Sequence, residues 1–536
     1  MSPADRPWWQ TAVVYQVYPR SFADSNGDGV GDLPGITARL EHLAWLGVDA
    51  VWLSPFYRSP MRDFGYDISD HTDVDPLFGT LQDFDALVAR AHDLGLALIV
   101  DYVPNHTSSD HPWFAGSRSA REDPRRDWYF WRDPAPGGGP PNNWVSIWGG
   151  PAWAWDERTR QYWLHIFLAE MPDLNWRNPE VRAAMFDVAR FWLDRGVDGF
   201  RIDVALYVAK DPELRDNPPA LQGERSFHKD FGGWDDQLHA HDQAHHDGHA
   251  IWREFRALLE AAPPPERVSI AEVHVFDPVE WAEWFGEALD EFHLPFNFSL
   301  LQVPWEAAAI EETVRAFDGA LPQGAWPNWV LGNHDEPRVA SRVGTESARV
   351  AMMLLLTLRG TPTLYYGDEL GMPDVAVPAE RMHDPQGRID PALSRDPQRS
   401  PMLWDAGPGH GFTAAATEPW LPFAPAAGAL SVERQARDPE SMLSLTRALL
   451  AARRASPALS AGDWEPLDAP DGVLAYRRRA GDDERVVLLN LGDEPRTMEL
   501  ARQWELEVAT GPGGAAPLGP RAGVLLRPLH SGYNPA

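Results

Sequence analysis

Four short polar runs carry residues whose types suit one kind of chemistry: Asp101-Tyr-Val-Pro-Asn105-His106, Arg201-Ile-Asp203, Glu272 and Asn333-His334-Asp335. Breaking an acetal through an oxocarbenium-like transition state takes one carboxylate to attack the anomeric carbon and one carboxylic acid to protonate the departing oxygen. The two stand roughly 5 Å apart when configuration is retained. Asp203 and Glu272 fit those roles. Arg201 lies two residues before Asp203, on the same face of a strand, where its cation holds the carboxylate ionised. Glu272 has to keep its proton, and neighbouring carboxylates in a partly dry pocket raise its pKa for that purpose. Asp335 is left to bind hydroxyl groups and stabilise developing charge, with His106 and His334 donating hydrogen bonds.

Groups so scattered along the chain have to be gathered by the fold. Short β-branched or aromatic runs occur at Val13 to Phe22, Ala50 to Pro55, Ala97 to Val103, Gly199 to Val204, Ser269 to Val275, Phe296 to Leu301, Trp329 to Asp335 and Thr363 to Glu369. Most are followed by a helix-period stretch. Ile36, Leu40, Leu43 and Leu46 form one such face, stopped by Gly47; Phe84, Leu87, Val88, Ala91 and Leu94 form the next, stopped by Gly95. Strand then helix, eight times over, predicts an α/β fold of the (β/α)8 TIM-barrel type, in which functional groups sit at the C-terminal ends of strands. The four polar runs fall at such ends.

The spacing from Val103 to Gly199 is about three crossovers long, so a small domain is expected there. Residues 1–103 and 173–457 are assigned to the barrel and 104–172 to an inserted domain with a strand over Tyr162 to Leu168. A helix is expected from about His249 to Ala261 and another around Met442, Leu445, Leu449 and Leu450. Residues 458–536 alternate over Val473 to Arg477, Val486 to Asn490 and Gly523 to Arg527, broken by Gly481-Asp482 and Gly511-Pro512-Gly513-Gly514, which predicts a C-terminal antiparallel β-sandwich.

Four regions, Asp101 to His106, Gly199-Phe-Arg-Ile-Asp-Val204, Glu272-Val-His-Val and Gly332-Asn-His-Asp335, resemble in order and placement those of the α-amylase superfamily, retaining hydrolases of α-glucosidic bonds. A fifth, Met171-Pro-Asp-Leu-Asn-Trp176, closes the insertion. The resemblance implies Asp203 as nucleophile, Glu272 as acid/base and Asp335 as transition-state carboxylate, with Arg201, His106, His334 and Phe167 lining the subsite. Gly65-Tyr66-Asp67 and Arg399 resemble the exo-acting α-glucosidases, where the tyrosine stacks on the terminal glucose and a charged pair closes the pocket. Val204, after the nucleophile, resembles relatives that prefer α-1,6 bonds, whereas Met171 departs from them, so relaxed specificity on short glucosides such as maltose, isomaltose or sucrose is expected, with transglucosylation as a side reaction. A glucosyl transferase or isomerase, such as trehalose synthase or sucrose isomerase, would use the same triad; the Arg-Leu-Asp-Arg-Asp run of sucrose isomerases is missing between Gln302 and Pro327.

The loop Asp24-Ser-Asn26-Gly-Asp28-Gly-Val30-Gly-Asp32 alternates oxygen ligands, Val30 through its carbonyl. It predicts a structural Ca²⁺ site, with Mg²⁺ as the other option, and resembles the metal loop of oligo-1,6-glucosidase-like members. No organic cofactor is expected. The 536 residues carry a net charge of −32, which repels nucleic acid and anionic lipid and suits a neutral or cationic substrate; the resemblance implies a small oligosaccharide as that partner, and the protein is expected to be a monomer. Cysteine is absent, so disulfides and thiolate chemistry are excluded. Met1 to Gln10 lacks the pattern of a secretory leader and no run of 18 apolar residues occurs, so a cytoplasmic, membrane-free location is expected. The histidines at 239, 241, 245, 246 and 249 lack a zinc-type pattern and are read as a solvated loop. The 25 tryptophans suit either core packing or sugar stacking.

Overall fold

The computed structural model describes residues 6–221, 231–511 and 517–529. Eight parallel strands form a closed barrel in chain order: β1 (Val14–Val17), β2 (Ala50–Leu53), β3 (Ala97–Tyr102), β4 (Gly199–Ile202), β5 (Val268–Ala271), β6 (Leu294–Asn297), β7 (Asn328–Val330) and β8 (Thr361–Tyr365). Val14 stands beside Ala50 on one side and Thr363 on the other, which closes the ring. Trp52, Ile99, Val268, Ile270, Phe296 and Val330 fill the interior, so the barrel is a packed core with its polar groups at one rim.

The strands stop earlier than the apolar runs that announce them, because chemistry-bearing residues follow in non-strand backbone. One run is displaced: the stretch expected at Phe296 to Leu301 gives β6 from Leu294 and then a helical turn, Ser299–Gln302. The Asn297 side chain accepts the Ser299 N–H (3.0 Å) and turns the chain there, while the buried Phe298, Leu300 and Leu301 keep the run apolar.

The helices follow their punctuation. In α1 (Leu33–Leu46) the Asp32 side chain accepts the Gly35 N–H, and Gly47, at φ +105°, donates back to Leu43. α2 (Leu81–Asp93) opens on a reciprocal Thr80–Asp83 capping box. The helices α3 (Pro179–Asp194), α4 (Asp247–Glu260), α5 (Ala307–Ala320), α6 (Thr345–Thr357) and α7 (Met442–Ala455) bury apolar faces against the barrel.

Between β3 and α3 lies a three-stranded antiparallel sheet of Trp131–Arg132, Gln161–Leu164 and Trp153–Asp156. Its last strand ends at Leu164, short of the expected Leu168. A buried ion pair, Lys210 Nζ to Asp173 (2.8 Å), fastens this region to the segment after β4. The nine tryptophans among the largest fully buried side chains, Trp52 and Trp329 included, decide that core packing accounts for much of the tryptophan content.

At the C-terminus β9 (Asp463–Pro466), β10 (Val473–Ala480), β11 (Asp483–Asn490), β12 (Trp504–Ala509) and β13 (Ala522–Pro528) form an antiparallel sheet. The expectation of a sandwich is corrected here: the described strands make a single five-stranded sheet. Leu474, Tyr476, Val487, Leu489 and Leu525 join the barrel's core, where the Tyr476 hydroxyl meets Thr357 Oγ1 of α6 at 2.6 Å. The other face is covered by Leu467, Met498, Leu500 and Leu518 from irregular backbone in place of a second sheet. The turn expected at Gly511-Pro512-Gly513-Gly514 lies outside the described residues except for Gly511, as do residues 1–5 of the N-terminal stretch.

Candidate active site

At the C-terminal rim of the barrel a single buried guanidinium gathers three carboxylates from three strands. Arg201 Nη1 donates to Asp101 Oδ1 (2.9 Å) and Asp203 Oδ1 (2.8 Å), and Nη2 donates to Glu272 Oε2. Its plane lies over Trp52, 5.0 Å from the ring centroid, which seals it from below. The next residue after Asp203 turns sharply. Val204 sits in the left-handed region at φ +37°, a costly conformation for a β-branched residue, and its N–H points at Glu272 Oε2 (3.2 Å).

One cation facing so many carboxyl groups cannot hold them all ionised. Burial pushes Asp203 well above the carboxylate range; Arg201 opposes this, and the charges of Glu272, Asp101 and Asp335 add to it. Burial likewise raises Asp101, to about 6, against Arg201. Burial also pushes Glu272 up, but Arg201 and a hydrogen bond from His274 outweigh it and hold Glu272 low. Asp203 and Glu272 both bind Arg201, and Glu272 has His274 as a second partner, so the two carboxyls titrate together as a pair.

One cavity opens over this cluster, lined among others by Tyr66, His106, Phe167, Asp203, Val204, Glu272 and Asp335. Tyr66 is delivered by Gly65, whose φ of +109° and closeness to Pro55 leave no room for a side chain. Its hydroxyl meets His334 Nε2 (2.7 Å) and Asp101 Oδ2 (3.2 Å). His334 lies beneath the cavity wall, with Gln16 on its Nδ1 (2.8 Å); burial lowers its pKa to about 3, so it is neutral.

Two expected clamp residues are corrected. Asp67 is fully buried away from the cavity and braces its own loop, accepting from Ser59 Oγ (2.8 Å) and the N–H groups of Arg62 and Asp63 (both 3.0 Å). The carboxylate that lines the cavity is Asp63, paired with Arg395 at 2.5 Å. Arg395 also binds Asp384 (2.7 Å) and Asp335 (3.3 Å) and lies over Trp148. Arg399 stands behind: it holds Asp335 Oδ1 at 2.9 Å and the His334 carbonyl at 2.8 Å without lining the cavity. Both misplacements are short slips within one segment, four residues each, and only the backbone path separates the candidates.

His106 is oriented by a chain of donors. Lys210 can only donate, so the Asn105 atom facing it at 2.9 Å is the oxygen, and the Asn105 nitrogen faces His106 Nδ1 at 3.1 Å. The His106 proton therefore resides on Nε2, and burial keeps the ring neutral, at a pKa of about 3. Carbon lines another part of the cavity: Val204, Phe231, Phe298 and Leu301, with Tyr207 and Phe167 stacked edge to face 5.5 Å apart.

Away from the cavity, the loop of Asp24, Asn26, Asp28, Val30 and Asp32 winds through successive side-chain-to-backbone bonds: Asn26 N–H to Asp24, Asp28 N–H to Asn26 and Val30 N–H to Asp28. Asp32 turns to Ser25 and to the first turn of α1. The donor set is hard oxygen throughout, the type a Ca²⁺ or Mg²⁺ ion takes, although both oxygens of Asp24 and of Asp32 already accept hydrogen bonds; the described His, Asp and Glu side chains whose ligand atoms do cluster are His245, His246 and Asp247. The histidine stretch instead distributes itself among carboxylates: His239 with Asp242 (2.7 Å), His249 with Glu291 (2.7 Å), and His245 and His246 with Asp247, which Arg177 also engages. His239 is buried and stacked on Trp234, so the loop is less solvated than its composition implies.

The sequence profile described as "Alpha amylase, catalytic domain" matches residues 16–462, and a domain of unknown function matches residues 460–525. A probable alpha-glucosidase of Rhizobium meliloti (strain 1021) is 44% identical over 524 residues, covering 95% of this chain and 94% of the relative. An oligo-1,6-glucosidase of Parageobacillus thermoglucosidasius is 35% identical, with 92% of each chain covered. The crystal structure of an alpha-glucosyl transfer enzyme, XgtA, superposes with a TM-score of 0.91 at 41% identity, covering 98% of this chain and 100% of that one.

Proposed function

The chain belongs to the α-amylase catalytic-domain family, and from that membership and the cavity we propose a retaining, exo-acting α-glucosidase that removes terminal α-linked glucose from short oligosaccharides. The observation that carries this reading is the ion pair of Asp63 and Arg395, beside Asp335, in the wall of the same cavity that Asp203 and Glu272 line. It supports a pocket ending in charged groups that read the hydroxyls of one glucose, in place of a cleft that runs on past it.

In the mechanism Asp203 attacks the anomeric carbon as Glu272 protonates the departing oxygen, leaving a glucosyl ester on Asp203. Glu272 then takes a proton from water, whose oxygen displaces Asp203 from the same carbon. Arg201 releases Asp203 to bond formation while retaining Asp101 and Glu272 as partners. His106 Nε2 and the Asp335 carboxylate are placed to bind glucose hydroxyls, and Asp335 stabilises positive charge at the ring. Transfer of glucose to a sugar hydroxyl uses the same ester, and the named activity of XgtA favours it as a second outcome. A structural divalent cation, held by Asp24, Asn26, Asp28, Asp32 and the Val30 carbonyl, would supply charge neutralisation far from the chemistry.

A time course of the purified protein with maltose, isomaltose and sucrose, with product anomers resolved, tests the reading. Release of α-glucose, lost by roughly 10⁴-fold or more in Asp203→Asn, is expected. Release of β-glucose refutes retention, and isomerised disaccharide as the main product reassigns the enzyme to the transferases.

A further inference from the structure

The acid/base residue has a partner that the four family regions leave without a role. β5 ends at Ala271, and of the residues that follow, Val273 is fully buried in the core while Glu272 and His274, two residues apart, both face the cavity. His274 Nε2 lies 2.8 Å from Glu272 Oε1, and its ring stacks on Phe298, 4.7 Å between centroids and 11° between planes. Both residues line the cavity.

We propose that His274 is a positioning residue for the acid/base: it fixes Glu272 Oε1 and holds, as imidazolium, the proton that Glu272 delivers to the glycosidic oxygen. The proposal rests on the retaining-glucosidase reading. Its ground is that the other charged contact of Glu272, Arg201, draws the carboxyl toward its ionised form and has no proton to give. Among the described residues the other titratable neighbours are Asp101 on β3 and Asp203 after β4, both bonded to Arg201, Asp335 and Glu336 after β7, and Tyr207, whose hydroxyl burial and the nearby carboxylates hold protonated; Asp203 has to be ionised to attack.

In the first step the proton passes from His274 Nε2 to Glu272 Oε1 and on to the departing oxygen, as the bond from that oxygen to C1 breaks and the bond from Asp203 to C1 forms. In the second, water gives its proton to Glu272 and back to His274 as its oxygen replaces Asp203. Histidine suits the task because imidazole both takes up and gives a proton at Nε2, which here faces Glu272 Oε1, whereas Arg201 on the other oxygen does neither.

The test is the pH profile of kcat/KM on maltose for the full-length protein and for His274→Gln, which keeps a hydrogen-bonding group, and His274→Phe, which keeps a ring against Phe298. In both variants the basic limb is expected to move toward acid by about one pH unit, a loss of about tenfold on the alkaline side, with the acidic limb in place. On para-nitrophenyl α-glucoside, whose leaving group needs less protonation, the alkaline loss should be smaller. A purely packing role would lower the rate at every pH without moving either limb; basic limbs that coincide with the parent's in the folded variants overturn the proposal and leave the α-glucosidase reading standing. Failure of the parent protein to release glucose from any α-glucoside overturns both.

Discussion

Two parts of the cavity lining differ in kind: Asp63 and Asp335 meet Arg395, which Asp384 also binds and with Arg399 holding Asp335 from behind, whereas Val204, Phe231, Phe298 and Leu301 present carbon. Both parts are reached by the same barrel rim, yet they specify differently. Buried charges held in fixed pairs reject whatever leaves them without hydrogen bonds, by several orders of magnitude, whereas an apolar wall discriminates weakly. The difference teaches that the sugar on the charged side is read closely and that the leaving group on the carbon side is read mainly by size. The mixed cues of Val204 and Met171 on linkage accord with a weakly discriminating wall.

Breaking the charged part should therefore cost most. Arg395→Ala leaves Asp63 and Asp384 buried without their cation and Asp335 with Arg399 alone, and is expected to lower kcat/KM on maltose by roughly 10²–10³-fold, with a stability loss of about 3–5 kcal/mol. The kinetic loss should be the same on maltose and isomaltose, since their leaving groups lie elsewhere. Steady-state kinetics on both substrates, with thermal melting alongside, check this; a loss confined to one linkage would place Arg395 on the leaving-group side.

The barrel was legible because each buried parallel strand needs an unbroken apolar run and each crossover helix a capped amphipathic stretch, and runs such as Ala97 to Val103 and Ile36 to Leu46 announce both. The carboxylates Asp203 and Glu272 were legible for the same reason, since strand ends fix where they point. Asp63 and Arg395 were not. Each lies on a loop, four residues from the residue chosen in its place, and only the turn through Phe64 and Gly65, both at positive φ, decides that Asp63 faces the cavity and Asp67 faces Ser59. The grip of Arg201 on Glu272 was equally hidden, because it runs from one strand end to the next and no spacing in one chain segment encodes it.

His106 is oriented from outside the inserted region, by Lys210 in the segment after β4. Lys210→Met removes the donor that fixes Asn105, and with it the tautomer of His106, and leaves Asp173 buried without its cation. Roughly a tenfold rise in KM on every α-glucoside is expected, with a smaller change in kcat. A hydrogen-bond contact to glucose predicts equal effects across leaving groups; unequal effects, read from KM on maltose against para-nitrophenyl α-glucoside, would move His106 to the other side of the bond being broken.

Metal removal bears on the charged part indirectly. The loop from Asp24 to Asp32 grips the segment that follows Arg395 and Arg399: Asp24 N–H binds the Phe412 carbonyl (2.8 Å), Trp420 N–H binds the Gly29 carbonyl (3.0 Å), and Thr413 donates to Asp24. Chelation is expected to lower the melting temperature by several degrees, with elemental analysis reporting one Ca²⁺ or Mg²⁺ per chain, and to raise KM modestly through the glucose-reading part. An unchanged melt together with metal-free protein would refute the site.

The carbon part should yield the smallest effect and the most selective one. Leu301 lies in the helical turn after β6, outside the ion-pair network, and contributes only methyl groups to the cavity. Leu301→Ala removes about three carbons' worth of wall, so the expected change in kcat/KM on maltose is within about tenfold. Its direction should depend on the leaving group. Small leaving groups lose contact and slow, while a bulkier one, such as the isomaltosyl group of isomaltotriose, gains room and slows less or speeds up. The ratio of kcat/KM for isomaltotriose to that for maltose is therefore the quantity to measure, with inhibition by glucose as a monitor of the charged part. A shifted ratio with unchanged glucose inhibition separates the two parts, because a wall that touches only the leaving group cannot alter binding of the sugar held by Asp63 and Arg395; a changed inhibition constant with an unshifted ratio would mean that the two parts are mechanically one.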